Sequence, residues 1–306
     1  MYYFIVNPAA RSGQGEKTFQ RLLPLIEKQK IEYQVFFTRY QGHATKLARE
    51  LTSGGRRNTL IVVGGDGTVN EVINGISDLA GTMLAYIPVG SGNDLARGLG
   101  LPTDPAEALL AALSAPCRPL DVGCVRWGDK KRRFLVSAGM GFDAAVCQQV
   151  MLSPLKALLN RLHLGKLTYT GVALRQLYLL YPQDMTLILD DHRKISLSRV
   201  YFATVMNLPC EGGGFRFCKG ASPLDGRLDV IAVCGLPKPL LLLALPLAYA
   251  GLHTRLPGVY RFTCRSAEFI SQAPLAVHTD GEPLLRQPRI KARLENEKLL
   301  MKIINK

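Results

Sequence analysis

Short apolar runs alternate with stretches of helical periodicity over the first 120 residues, and no other feature limits the fold as strongly. The runs at 2–6, 33–37, 59–63 and 83–87 have strand length, and 16–28, 44–51, 69–76 and 106–113 read as helices. In the third helix Val69, Val72, Ile73 and Ile76 fall at i, i+3, i+4 and i+7, one buried stripe. Asn70, Glu71 and Asn74 are then expected to face elsewhere. Strands that alternate with helices predict a parallel sheet with helices on both faces. Such sheets bind ligands beyond the carboxyl ends of their strands. Here each strand end is small or polar: Asn7-Pro8, then Thr38, then Gly64-Gly65-Asp66-Gly67-Thr68, then Pro88-Val89-Gly90-Ser91-Gly92-Asn93-Asp94.

The texture changes after Leu120. Strand-like runs at 134–137, 185–189, 200–206, 228–233, 267–270, 290–294 and 299–303 dominate, and many alternate apolar with polar residues. They predict a mostly antiparallel β domain, interrupted by helices near 154–181 and 237–252. The last two runs, with a turn around 295–297, read as a hairpin. The boundaries are set at 1–120 for an α/β domain and 121–306 for a β domain, with the last residues able to return to the first domain.

Charge is unevenly divided. Of the formal +14, residues 1–120 contribute +2 and residues 121–306 contribute +12. Residues 144–183 and 230–267 contain no Asp or Glu while carrying Lys156, Arg161, Lys166, Arg175, Lys238, Arg255, Arg261 and Arg265 among many leucines. Basic residues beside apolar ones suit an anionic membrane surface. Nucleic acid is a poorer match, because the bases are not grouped with stacking aromatics and Trp127 is the only tryptophan. The longest apolar uncharged run, 239–254, holds two prolines and is shorter than the roughly 20 residues that a span needs. The first residues lack the basic region and long apolar stretch of a signal peptide. Seven dispersed cysteines without a C-x-x-C suit a reducing cytosol, as core or surface thiols. The expected location is therefore cytoplasmic, peripheral at the inner face of the membrane.

The segment from Leu60 to Val72 carries the most chemistry. A buried strand runs into glycines and opens a helix, whose N-terminus offers backbone N–H groups to phosphate. An Asp inside that loop would repel bare phosphate, so Asp66 is expected to act through Mg²⁺ or by accepting from a hydroxyl. No G-x-x-x-x-G-K-[ST] occurs, which excludes a P-loop, and Gly13-Gln14-Gly15 lacks the third glycine of a dinucleotide fingerprint. The five histidines show no ligand spacing, and His278 is expected to pack beside the Asp280-Gly281-Glu282 turn.

Further motifs follow in order: Asn93-Asp94-Leu95-Ala96-Arg97, Gly139-Met140-Gly141-Phe142-Asp143, Asp225-Gly226-Arg227-Leu228-Asp229, and Asp280-Gly281-Glu282. The ordered set resembles the bacterial lipid kinases that share the diacylglycerol kinase catalytic domain, and at greater distance sphingosine kinases and NAD kinases. The resemblance covers essentially the whole chain. It implies an α/β N-terminal domain of NAD kinase/diacylglycerol kinase type and a β-sandwich C-terminal domain, with a nucleotide site between them. By the same resemblance Asn7, Thr38, Gly64, Gly65, Asp66, Gly67, Thr68, Val69, Asn70, Gly90, Ser91 and Asn93 hold ATP. Asp66 and Asp94 sit at the phosphoryl-transfer centre, with Asp121 as a supporting acid. Glu282 takes the proton from the lipid hydroxyl. Asp225, with the carbonyls of Ser222 and Arg227, holds Mg²⁺. Ser91 stands where the family usually has Thr and keeps the hydroxyl, whereas the segment before Asp225 lacks the usual proline and acid.

These residue types suit the chemistry. Phosphoryl transfer depends on positioning and charge neutralisation, which glycine loops and metal-holding acids supply, and a carboxylate can accept a hydroxyl proton as bonding develops. The expected function is an ATP-dependent lipid kinase acting on diacylglycerol to give phosphatidic acid. Its partners are a lipid substrate, an anionic membrane surface and, for an oligomer, a second copy in a homodimer; nucleic acid is not among them. The alternatives are an NAD-kinase-like or sphingosine-kinase-like phosphotransferase, or a non-catalytic nucleotide- or lipid-binding module.

Overall fold

A computed structural model describes residues 1–54, 58–152, 175–176 and 178–304. The chain divides into two units, Met1–Val122 with Glu295–Lys306, and Gly123–Leu294.

In the first unit, β1 (Tyr2–Val6) lies between β2 (Tyr33–Phe37) and β3 (Asn58–Gly64), and β4 (Thr82–Pro88) follows β3, all four parallel. Beyond β4 come β15 (Leu299–Lys302) and β5 (Cys117–Leu120), giving the order β2-β1-β3-β4-β15-β5. Parallel strands covered on both faces read as continuous apolar runs, and Phe4, Ile5 and Val6 on β1 and Leu60 to Val63 on β3 are all fully buried. The connecting helices are α1 (Ala10–Lys28), α2 (His43–Thr52), α3 (Asp66–Gly75), α4 (Asp94–Leu99) and α5 (Pro105–Ser114). Phe19, Leu22 and Ile26 of α1 and Leu109 of α5 close a core over Phe4, Val6, Ile61, Val63, Ala85 and Ile87.

The expected hairpin at 290–303 does not form. The run from Ile290 belongs to β14 of the second unit, while β15 pairs parallel with β4 and antiparallel with β5. Leu299 and Met301 are fully buried there, a contact that a two-stranded ribbon could not offer.

The second unit is one nine-stranded sheet with every pairing antiparallel. Its strands are β6 (Gly123–Trp127), β7 (Lys130–Phe134), β8 (Ser137–Gly141), β9 (Gln183–Leu189), β10 (Arg193–Met206), β11 (Leu228–Cys234), β12 (Val259–Cys264), β13 (Ser266–Thr279) and β14 (Glu282–Leu294). The order is β12-β11-β10-β8-β13-β14-β6-β7, and β9 pairs with both β10 and β13. The long β10 and β13 thus hold β8 at one end and β9 at the other. Val125, Phe134, Met140, Leu187, Val205, Val230, Phe269 and Ile290 share its core. The expected strand at 134–137 is instead a junction, since Phe134 ends β7 and Ser137 begins β8. Helix α6 (Phe142–Leu152) follows β8, and α7 (Lys238–Ala250) matches the helix expected near 237–252. Most of the helix expected near 154–181 lies outside the described residues.

Candidate functional site

Because β1 to β4 are parallel, Asn7, Thr38, Gly65 and Val89 leave their strands at one edge of the first sheet. The chain places β2 to one side of β1 and β4 beyond β3, so the order reverses between β1 and β3, where sheets of this kind bind ligands. At that point Asn7 Nδ2 donates to Thr68 Oγ1 at 2.9 Å, while Asn7 Oδ1 accepts the Ala9 N–H at 3.1 Å. Thr38 donates its N–H to the Val6 carbonyl at 2.8 Å.

Two glycine loops meet beside this edge. The Val89 N–H donates to the Gly64 carbonyl at 2.7 Å, and a Cβ on Gly90 would stand 2.7 Å from the Gly65 Cα. Glycine at 90 allows that approach of backbone to backbone, and a Cβ at Gly65 would itself crowd the Gly90 Cα at 3.2 Å. Asp66 then spans the loops: its Oδ2 accepts the Asp94 N–H at 3.0 Å and its Oδ1 the Leu95 N–H at 3.2 Å. It caps α4 with a full negative charge. Asp94 pairs with Arg97 at 2.7 Å, and Arg97 also donates to the Gly92 carbonyl at 3.1 Å.

A Cβ on Gly92 would lie 3.3 Å from Asp66 Oδ2 and 3.6 Å from Asp94 Oδ2, so both carboxylates face the space that a side chain there would fill. Such a cradle of hard oxygen donors suits Mg²⁺. Beneath it Tyr86 is buried and donates to Asn93 Oδ1 at 3.2 Å; burial, then the charges of Asp66 and Asp94, push its phenol well above its ordinary range.

The other expected residues are placed as follows. Ser91 is exposed, Gly67 is half-buried, and Val69 is buried on α3. Asn70, off the apolar stripe of α3, is nevertheless fully buried, and its carbonyl accepts from Asn74 Nδ2 at 2.8 Å. Glu71 accepts the Gly42 N–H at 2.8 Å and the Ala44 N–H at 3.2 Å, fixing the start of α2. Asp121 is buried and paired with Lys298 at 2.9 Å, tying the end of β5 to the approach of β15. In the second unit Asp225 is exposed and accepts the Arg227 N–H at 2.9 Å, and Ser222 Oγ accepts the Leu224 N–H at 3.4 Å. Oxygen donors in that turn are compatible with a hard cation.

Glu282 opens β14, directly across from Thr279. Between them Asp280 (φ 50°) and Gly281 (φ 78°) are left-handed, as a two-residue hairpin turn requires. The Asp280 carboxylate accepts the N–H groups of Leu135 at 3.0 Å, Val136 at 2.8 Å and Ser137 at 3.1 Å, so the turn is anchored to the β7–β8 junction. His278, fully buried, sets Nε2 3.1 Å from Asp143 and 3.3 Å from Glu211, and Thr204 donates to the same Asp143 oxygen. Burial alone would lower the imidazole pKa; the carboxylates of Glu211 and Asp143 outweigh it and hold the value up at about 9. The Gly281 N–H lies 3.3 Å from Nδ1, which accepts only in the neutral ring, and the two carboxylates are the stronger influence. A cavity of about 450 Å³ also lies in this unit, lined in part by Gly141, Arg175, Leu179, Tyr181, Leu275 and Arg286.

Residues 1–125 match the model of the diacylglycerol kinase catalytic domain, and residues 136–299 that of the YegS C-terminal NAD kinase beta sandwich-like domain. The chain belongs to the diacylglycerol kinase-like family of lipid kinases. The Bacillus subtilis (strain 168) protein YtlR, whose name marks it provisionally as a lipid kinase, is 30% identical over 287 residues, 92% of this chain and 93% of YtlR. The diacylglycerol kinase of the same strain is 30% identical over 229 residues, 74% of this chain and 71% of that one. A crystal structure from Bacillus anthracis str. Sterne, described provisionally as a diacylglycerol kinase, is similar with TM-score 0.77 at 25% identity, over 99% of this chain and 97% of that one.

Within this lipid kinase fold, sequence reasoning missed the Asp143–Glu211–His278 cluster, whose ligand atoms lie within 4.8 Å of one another. The three come from α6, the loop after β10, and β13, with no local spacing to announce them. The only signal was the Gly139–Asp143 motif, in which a Cβ on Gly139 would collide with Asp143 Oδ2 and stand 2.7 Å from His278 Nε2.

Proposed function

We propose that the protein transfers the γ-phosphoryl group of ATP to the hydroxyl of a membrane lipid, diacylglycerol, giving phosphatidic acid at the inner face of the membrane. The observation that carries this reading is the pair of carboxylates, Asp66 and Asp94, turned to one space over Gly92 beside two glycine loops, in a chain of the lipid kinase family. In this reading Asn7, Thr38, the 64–70 loop and helix start, Gly90, Ser91 and Asn93 hold the nucleotide, with the N-terminus of α3 favouring the negative phosphates. Asp66 and Asp94 hold Mg²⁺, which when bound neutralises charge on the phosphates. Glu282 accepts the proton of the lipid hydroxyl as its oxygen bonds to phosphorus and ADP departs. Asp121 supports the first unit from its buried pair with Lys298. The Asp225 turn, with the carbonyls of Ser222 and Arg227, takes a second Mg²⁺. The 450 Å³ cavity, with Leu179, Leu180, Leu275 and Ala276 beside Arg175 and Arg286 on its wall, supports a lipid acceptor.

The match of residues 136–299 to an NAD kinase beta sandwich-like domain favours a second reading, with NAD as the acceptor. Purified protein offered labelled ATP with either diacylglycerol in vesicles or NAD in solution separates the two. Label in phosphatidic acid alone supports the first reading, and label in NADP alone replaces it.

A further inference from the structure

Helix α7 has no polar face. Leu241, Ala244 and Ala248 point into the second unit and are buried. The solvent side is made of Pro239, Leu242, Leu243, Pro246, Tyr249 and Ala250, with Leu243 67% and Tyr249 58% exposed. A helix that is apolar all round is normally covered on every side, either in a core or in a membrane. This one is covered on only half. At 13 residues it is about 20 Å long, and among the described residues no helix is long and apolar enough to cross a membrane. It could therefore lie along a bilayer surface but not span it.

The rim of this face says what covers it. Arg216 hydrogen-bonds through its N–H to the Ala248 carbonyl at 3.0 Å, and the Lys219 side chain packs against Gly251 at the end of the helix. Arg255 follows one turn later, and both Arg216 and Lys219 are exposed. At the other end, Lys238 Nζ donates to the Tyr178 carbonyl at 2.6 Å and lies over the rings of Tyr178 and Tyr181, 5.9 and 5.6 Å from their centroids. Residues 230–267 hold no Asp or Glu at all. An apolar stripe with cationic ends and no acid matches an anionic bilayer, where the leucines enter the acyl boundary and the bases meet lipid phosphates. A second copy of this chain would bring the same positive rims together, which disfavours that occupant.

We infer that the outer face of α7, with the exposed Tyr178, Leu179 and Tyr181, docks on an anionic lipid bilayer. Leu179 and Tyr181 also line the 450 Å³ cavity, so the docked face is continuous with that cavity's wall. This rests on the lipid kinase reading for its purpose, but not for its measurement.

Co-sedimentation with phosphatidylcholine vesicles, with and without phosphatidylglycerol, reads binding directly. Leu243→Glu is expected to weaken binding to the anionic vesicles at least tenfold, whereas Leu110→Glu, on an exposed site of α5, leaves it unchanged. Both variants should turn over a water-soluble short-chain diacylglycerol at the parental rate. Tryptophan fluorescence of a Leu243→Trp protein should be quenched by brominated acyl chains, a check independent of whether the Glu variant folds. Anionic vesicle binding that is absent in the parent or unaffected by Leu243→Glu, or a lack of quenching, overturns the inference. So does a parental dimer that Leu243→Glu dissociates while vesicle binding persists. If the parent binds vesicles through α7 yet phosphorylates no diacylglycerol, the docking stands and the kinase reading falls.

Discussion

The Asp94 N–H donates to the Asp66 carboxylate at 3.0 Å, so the acid of one glycine loop fixes the helix that opens the next. Since Leu95 donates to the other oxygen, the side chain is held at both ends of its carboxylate. In Asp66→Asn one acceptor becomes an NH₂ facing a backbone N–H. The expected cost is about 1–2 kcal/mol of stability, the scale of one lost charged hydrogen bond, read from urea midpoints. Phosphoryl transfer should fall at least about 100-fold, the scale of losing a preorganised charge. Equal activity in the folded variant would remove Asp66 from the chemistry.

The contact of Gly65 with Gly90 gives a second expectation. A methyl at Gly90 meets the side-chain Asn93 Oδ1 and the Gly65 Cα, both at 2.7 Å, and the latter is backbone that cannot yield cheaply. Gly90→Ala should lose about 1–3 kcal/mol by overpacking and weaken ATP binding in calorimetry. Gly54→Ala, with nothing within 4 Å of the added carbon, should stay within about 0.5 kcal/mol of the parent.

His278 makes stability depend on pH. Its folded value of about 9 lies above the ordinary imidazole value of 6.5, because the Glu211 and Asp143 carboxylates outweigh burial, with Asp280 adding to them. The folded state therefore binds a proton that the unfolded chain releases near 6.5. The resulting stabilisation, on the order of 3 kcal/mol, is fully present below about pH 6.5 and is lost as pH rises through about 9. Urea midpoints for the parent should fall across that window relative to His278→Gln. Parallel curves for the two proteins would show that the ring is neutral throughout.

Asp280 gathers three backbone N–H groups beside the turn that carries Glu282. Asp280→Ala leaves those donors unmatched, and we expect a loss of about 1–3 kcal/mol with a large drop in kcat. A drop in kcat without a change in the KM for ATP would mark a positioning role in the second unit.

The parallel unit was legible because strands buried on both faces leave continuous apolar runs, as in 60–63, and because the glycine ends are dense. Its edge of Asn7, Thr38, Gly65 and Gly90 could be read before any coordinates. What escaped was long-range or unpatterned. The strands β7 and β12 end the sheet order, and β7 reads Lys130-Lys131-Arg132-Arg133-Phe134, the charged composition that guards a free edge and hides the strand. The 290–303 segment followed a hairpin pattern, yet burial of Leu299 and Met301 beside β4 and β5 decided its partner. Asp143 and His278 lie 135 positions apart, so only the fold brings them together.

Phosphatidic acid formed from ATP and vesicle diacylglycerol, measured by mass spectrometry for the parent, Glu282→Gln and Asp66→Asn, tests the central claim most directly. The account predicts steady product from the parent and at least a hundredfold less from each folded variant. Parental rates from both variants, or product from none of the three while NAD is phosphorylated, would contradict it.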